Sequence, residues 1–397
     1  MLLIANASVY DTASRGFFSG NLLIENGQIA EVTRGASPCR KTPTVAEILD
    51  VGGRTVLPGL VDVHTHGRAG GDFATADDAM LDRMSESYLS SGVTTVLPTL
   101  ASARSDELRA AIRRIGKAAE RENDPAHAGR ATHFAGIHLE GRYLNPAKRG
   151  AHAPELLAPP NADELEDFLR DVRGVRHVTA ALELDTDGSF LRRALSCGAT
   201  VGLGHSAATY EQAMQAFAGG ATSVTHLYNA LPPLHHREGG AVCAAFLSRN
   251  ISCELICDGF HVSPEMVRLA AVLKQDRLVL ITDSMEATGC PDGEYQIAGM
   301  PVTVKDGKAR THDGAIAGST LSLLDGVRNY SAFAGVSFGT AVYAATMAPA
   351  IEVGLEREVG SLEPGKRADL LILNADGTIF DVMCGGVFRR SGDRSVV

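Results

Sequence analysis

Tryptophan is absent from the 397 residues, and Phe and Tyr together make up only 5%. A stacking platform for nucleic-acid bases has little to be built from. Basic charge is also short: 37 Lys and Arg stand against 47 Asp and Glu, a net charge of −10. That balance argues against nucleic acid or an anionic membrane as partner, although a pocket can still be locally positive for a small anion. The seven cysteines are odd in number and scattered from Cys39 to Cys384. Cys253 and Cys257 are four apart, which is not the spacing of a zinc knuckle or a redox pair. They read as buried, reduced thiols of a cytoplasmic protein. The opening MLLIANASVYD has no basic n-region and is not a secretory signal. Tyr330–Ile351 carries no charge, yet Ser331, Gly335, Ser337, Gly339, Thr340 and Pro349 make it only mildly apolar. It reads as two packed helices broken near Gly335–Gly339 rather than a membrane span. A G-x-G-x-x-G dinucleotide fingerprint is missing as well.

What is present is the composition of a globular enzyme-sized chain, 45% apolar and 21% charged. The first residues read as β structure, with Leu2–Tyr10 and Asn21–Val32 as apolar runs and a hairpin signal at Asn26-Gly27. Eight short apolar runs then follow: Leu60–His64, Val93–Leu97, Phe134–Leu139, His177–Leu182, Thr200–Leu203, Ser223–His226, Ser252–Ile256 and Leu278–Thr282. Between them lie segments of helical spacing, among them Ala76–Ser91, Ser105–Arg121, Ala162–Val172, Tyr210–Phe217 and Pro264–Leu273. Strand and helix alternating eight times predict an α/β fold, a (β/α)8 TIM-like barrel. An open doubly wound sheet is the alternative. The tail turns β again at Ala368–Asn374, Thr378–Val382 and Val387–Arg389. Both termini are expected to meet in a small β-sandwich domain, residues 1–56 and 359–397, beside a barrel of residues 57–358.

Metal-ligand residue types recur where the predicted strands end. They are His64 and His66 after the first strand, Glu140 after the third, His205 after the fifth, His226 after the sixth and Asp283 after the eighth. Barrel enzymes keep their active sites at that C-terminal face. Residues i and i+2 of a strand share a face, so His64 and His66 can reach one ion. Each residue alone has an ordinary structural explanation, a helix cap or a satisfied core histidine. Five strand ends bearing such groups together point to a metal site. Imidazole and carboxylate without thiolate suit Zn²⁺, or Fe²⁺, Mn²⁺ and Co²⁺. The set is large enough for two ions bridged by Glu140; one ion on Glu140, His205 and His226 is the other possibility. Arg237, after the sixth strand, is a candidate for binding an anion bidentately. His235 and His236 are not assigned, and His127, His133, His177 and His312 lie off the strand ends.

Several motifs resemble a known family. Leu57-Pro58-Gly59-Leu60-Val61-Asp62-Val63-His64-Thr65-His66-Gly67 is similar to the opening strand of the amidohydrolase superfamily, and Gly360–Leu370 to its return into the small domain. His138-Leu139-Glu140-Gly141, Gly150-Ala151-His152, Gly204-His205-Ser206, Thr225–Ala230, Leu234–Glu238, Asp258–His261 and Thr282–Met285 resemble the N-acetylglucosamine-6-phosphate deacetylases in that superfamily. The resemblance implies a homodimer that hydrolyses the acetamide of N-acetyl-D-glucosamine 6-phosphate to D-glucosamine 6-phosphate and acetate. It implies Glu140, His205 and His226 as core ligands, and His64 and His66 as a second metal site in members that keep the pair. Asn229, Ala230 and Arg237 match phosphate-binding positions, with Arg237 reaching the neighbouring subunit. Ala151, His152, His261, Ile316, Ala317 and Gly318 match sugar and acetamide contacts. In the expected chemistry Asp283 takes a proton from the attacking water and passes it to the leaving nitrogen. His152 stabilises the oxyanion. Arg142, Gly239 and Glu286 depart from the family pattern, and Arg142 leaves N-acetylgalactosamine 6-phosphate, or another N-acyl amino sugar phosphate, as an alternative substrate. A metal-free scaffold is the reading from another class, and the full set of ligand types speaks against it.

Overall fold

The computed structural model describes residues 1–35, 47–121, 124, 127, 129–170, 174–312 and 314–389. Cys39 and the predicted helix end at Val172 lie outside them.

Eight barrel strands run Leu60–Thr65, Val93–Leu100, Ile137–Glu140, Val175–Ala180, Thr200–Leu203, Ser223–Val224, Ser252–Ile256 and Leu278–Ile281. Each pairs in parallel with the next. The eighth returns to the first: Asp283 N–H donates to the His64 carbonyl at 2.9 Å, and His66 N–H to the Ser284 carbonyl at 2.8 Å. Asp62, fully buried, ties the same seam by accepting the Thr282 hydroxyl at 2.6 Å. Strands covered on both faces read as largely apolar runs, which is why all eight were visible in the sequence. Helices lie between them, at Asp78–Ser90, Ser105–Arg121, Ala162–Leu169, Ser189–Ser196, Tyr210–Ala218, Gly240–Leu247 and Pro264–Lys274. Their starts are chemically marked. The Asp77 side chain accepts from Met80 N–H, and Thr209 and Gln212 form a reciprocal capping box, each such cap contributing about 1 kcal/mol.

The charge-free segment divides differently from expectation. It forms parts of three short helices, Leu323–Ala334, Phe338–Ala344 and Met347–Glu352. Gly335, at φ 69°, ends the first, and Thr346 separates the others. Among the described residues no helix is long and apolar enough to cross a membrane.

Strands from both ends of the chain make one further eight-stranded sheet. Asn26 and Gly27, at φ 51° and 76°, turn the hairpin between Gly16–Glu25 and Gln28–Arg34 with the left-handed backbone that a two-residue loop needs. Thr55–Pro58 pairs antiparallel with Leu370–Leu373 and joins the two ends. The run Leu370–Leu373 is apolar throughout because it serves two cores. Leu370 and Ile372 pack with Ile4, Leu22 and Val56, whereas Leu371 and Leu373 join the barrel cluster.

One element had not been anticipated. Gly293–Ile297, Met300–Lys305 and Lys308–Thr311 form a three-stranded antiparallel sheet after the eighth barrel strand. Its turns at Ala298-Gly299 and Asp306-Gly307 have positive φ at both residues. The Asp-Gly pair within alternating apolar and polar residues was the signal that could have found it.

Candidate metal centre and active site

The strand ends bring six titratable side chains to one point on the barrel rim. His205 Nε2 and His226 Nε2 lie 3.0 Å apart, and Glu140 Oε1 is 3.1 Å from the first and 3.0 Å from the second. His66 Nε2 is 2.9 Å from Glu140 Oε2 and 3.3 Å from Asp283 Oδ1. His64 Nε2 is 3.3 Å from Glu140 Oε1 and 3.6 Å from Asp283 Oδ1, yet it makes no hydrogen bond. Glu140, His205 and His226 form one set of donors able to share an ion; His64, His66 and Glu140 form a second. Glu140 belongs to both.

This donor set fits divalent cations. Two imidazole nitrogens facing each other across a carboxylate cannot all be satisfied by protons. Ligands held about 2.0–2.1 Å from a tetrahedral ion lie about 3.3 Å from each other, close to the separations seen. Outer contacts also turn the rings correctly. His205 Nδ1–H donates to the Lys148 carbonyl at 2.8 Å, leaving Nε2 for the centre.

The backbone at these positions is strained. His205, His226 and Asp283 adopt φ of 47°, 29° and 47°, sparsely populated for residues with a Cβ. Such outliers cost about 1–3 kcal/mol each and gather at functional sites. Here each lies just past a strand end, where the chain bends so that the side chain faces the mouth.

Charge is shifted to match. Burial works against ionisation of Glu140, but His64, His205 and His226 outweigh it and hold the carboxyl well below its usual range. Asp283 is brought down to about 2, its burial overcome by His64 and His66. Burial and the neighbouring His205 push His152 down to about 3, so its ring is neutral. His152 Nδ1 accepts the Ser102 backbone N–H at 3.2 Å. Its proton therefore sits on Nε2, 3.8 Å from Glu140 Oε2.

A pocket opens over the centre. It is lined by His66, Glu140, Ala151, His152, His205, His226, Asn229, Ala230, His261, Asp283, Ile316 and Gly318. Asp258 accepts His261 Nδ1–H at 2.6 Å and fixes that ring. Two expected contacts, Ala317 and Arg142, are placed elsewhere. Ala317 is buried in the small core of the inserted sheet, with Ile297 and Val302. Arg237, expected to serve the neighbouring subunit, is exposed on the loop before Gly240–Leu247, its guanidinium 2.7 Å from His236 Nε2 and outside this subunit's pocket. Arg142 was expected to influence the preferred anionic sugar. Its φ of 36° instead turns it away from the pocket, to the Ser105 hydroxyl at 3.0 Å and towards Glu164 at 3.4 Å.

Other residues of the site went unread. Ser102 holds His152 and is approached by Gly141, at φ 146°, so closely that a Cβ there would lie 2.5 Å from Ser102 N. Glu183 accepts Ser206 Oγ and Ala207 N–H, both at 2.7 Å, and so anchors the turn after His205. Ile297 of the inserted sheet lines the pocket. Glu254 lies beneath His64, its Oε2 2.9 Å from His64 Nδ1.

The profile of the amidohydrolase family matches residues 55–389. The chain belongs to the amidohydrolase family. Among curated relatives of this amidohydrolase, an N-acetylgalactosamine-6-phosphate deacetylase of Escherichia coli O157:H7 is 36% identical, covering 89% of this chain and 90% of its own. An N-acetylglucosamine-6-phosphate deacetylase of Bacillus subtilis is 32% identical, over 97% and 96%. Among solved structures, a variant N-acetyl-D-glucosamine-6-phosphate deacetylase of Mycobacterium smegmatis, in complex with N-acetyl-D-glucosamine-6-phosphate, superposes with a TM-score of 0.87 at 32% identity, covering 98% of this chain and 99% of that one.

Proposed function

We propose that this amidohydrolase removes the acetyl group from N-acetyl-D-glucosamine 6-phosphate. Water cleaves the amide C–N bond, releasing D-glucosamine 6-phosphate and acetate. The observation that carries the reading is the convergence of Glu140, His205, His226, His64, His66 and Asp283 beneath one pocket, in a chain related throughout its length to deacetylases of this class.

The residues would act as follows. Glu140, His205 and His226 would hold one divalent cation, and His64 and His66 with Glu140 a second; Zn²⁺ suits this donor set best, with Fe²⁺, Mn²⁺ and Co²⁺ also suitable. A cation bound there would acidify the attacking water and polarise the acetyl carbonyl. Asp283, ionised and at the centre, accepts the water proton at a carboxylate oxygen and returns it to the departing nitrogen. His152, neutral with its proton on Nε2, donates to the carbonyl oxygen as negative charge develops there. Asn229 and Ala230, at the pocket wall, would bind the phosphate end. His261 and the Ile316 and Gly318 loop would contact the sugar.

Arg237 would complete the phosphate site of the neighbouring subunit in a homodimer. Its exposure supports this, as do the exposed apolar side chains Leu234, Leu247, Val272 and Leu273 on the adjoining loop and helices. The six described cysteines are all free, which fits the reducing cytoplasm.

The galacto epimer is a second reading, favoured by the Escherichia coli relative. The test is acetate release from N-acetylglucosamine, N-acetylgalactosamine and both 6-phosphates on protein loaded with a single defined metal. Turnover fastest on N-acetylglucosamine 6-phosphate is expected. Preference for an unphosphorylated sugar, or no acetate from any, refutes the proposal.

A further inference from the structure

The seventh strand carries a charge in its middle. Glu254 is fully buried, one layer below the rim. Its Oε2 accepts His64 Nδ1–H at 2.9 Å and the backbone N–H of His226 at 3.1 Å. Its own carbonyl accepts Leu227 N–H at 2.8 Å. One residue therefore grips the chain on both sides of the bend at His226 and also fixes the ring of His64. With Nδ1 engaged, His64 can turn only Nε2 towards Glu140 and Asp283.

We propose that Glu254 is a positioning residue for the metal centre, orienting His64 so that the His64–His66 half of the site can load. This rests on the metal-dependent reading above. Carboxylates that hold the second nitrogen of a ligating histidine commonly govern metal affinity by 10–100-fold.

The far side of Glu254 faces other buried polar groups. Oε1 faces His177 Nε2 at 3.9 Å, and Glu352 completes the group. Glu254 Oε1 and His177 Nε2 are buried without hydrogen bonds. Burial, with Glu254 adding to it, pushes the Glu352 carboxyl well above its usual range. Burial lowers His177 to about 4, so that ring is neutral.

The experiment strips metal from full-length wild-type, Glu254→Gln, Glu254→Ala and Glu352→Gln proteins. Each is titrated with Co²⁺ against a chelator while visible absorption and melting temperature are recorded. In Glu254→Ala the weaker Co²⁺ equivalent should lose about 10–100-fold in affinity. Glu254→Gln, whose amide oxygen can accept both N–H groups, should stay within a few-fold of wild type. Glu352→Gln should keep the wild-type stoichiometry, because Glu352 touches neither His64 nor His226. A folded Glu254→Ala that binds Co²⁺ like wild type overturns the proposal. So does equal impairment of the Ala and Gln variants. Loss of an equivalent in Glu352→Gln also overturns it, by showing a cation among His177, Glu254 and Glu352. If Glu254→Ala does not fold, Glu254→Asp decides: its carboxylate is drawn back from His64, and undiminished affinity refutes the role. Failure of the deacetylase reading is seen separately, as wild type that binds no Co²⁺ or releases no acetate.

Discussion

Replacing His152 by alanine separates two ways in which a histidine can serve a hydrolase. Its Nδ1 is committed as an acceptor to the Ser102 N–H, and Nε2 carries the proton. Burial and His205 bring its pKa down to about 3. At pH 6 about one ring in a thousand would then be protonated, so His152 is a neutral donor at every working pH. A donor aimed at a developing oxyanion contributes about 3–4 kcal/mol. His152→Ala should therefore lower kcat about 10²–10³-fold. The pH profiles of the two proteins should run parallel from pH 5 to 9, because the deleted ring does not titrate there. The assay is acetate release from N-acetylglucosamine 6-phosphate by metal-loaded enzyme. An acid limb that disappears in the variant would mean that His152 ionises near neutrality and acts as a base. That result, or a kcat within a few-fold of wild type, refutes the argument.

Asp283→Asn removes the proton acceptor but keeps the shape. Steady-state kinetics should show kcat lowered by several orders of magnitude with KM little changed; near-normal turnover would remove Asp283 from the chemistry. Arg237→Ala should raise KM for the phosphorylated substrate and leave an unphosphorylated analogue untouched, and an equal effect on both would end the phosphate assignment. Chelation should make stability depend on pH in a specific sense. Against its burial, Asp283 and Glu140 raise His66 to about 9 in the metal-free protein. The stabilisation from this pairing is complete below about pH 6.5 and is lost as pH rises through 9. The melting temperature of chelated protein, relative to metal-loaded protein, should fall between pH 7 and 9; parallel curves would contradict this.

What the sequence displayed, and what it hid, follows from how far each signal travels. A buried parallel strand announces itself locally, so Val93–Leu97 and Ser252–Ile256 were legible as largely apolar runs. The ligand-type residues were legible for the same reason: they follow those runs directly. The hairpins at Ala298-Gly299 and Asp306-Gly307 were also written locally, and the helix–strand rhythm of the barrel drew attention away from them. Glu254 is a different case. Its neighbours Cys253 and Leu255 mark it only as part of a strand, and its partner His64 is 190 residues away. Arg142 shows the same limit in reverse. Beside a proposed ligand in sequence, it is carried to Glu164 by a single positive φ that no residue pattern announces.

Backbone strain joins these cases. His205, His226 and Asp283 would each relax to ordinary φ in a free peptide. The closed barrel overrides that preference through contacts made elsewhere: Asp283 N–H to the His64 carbonyl, Glu254 to His226 N–H, and Glu183 to the turn after His205. The residues that hold the rim in place are therefore as necessary to the site as those that face the pocket. They are invisible to local reading because they act across the barrel. On this view metal affinity should respond to changes in the strand interior as well as at the rim. Weakening Glu254 should then affect the ions before it affects the fold.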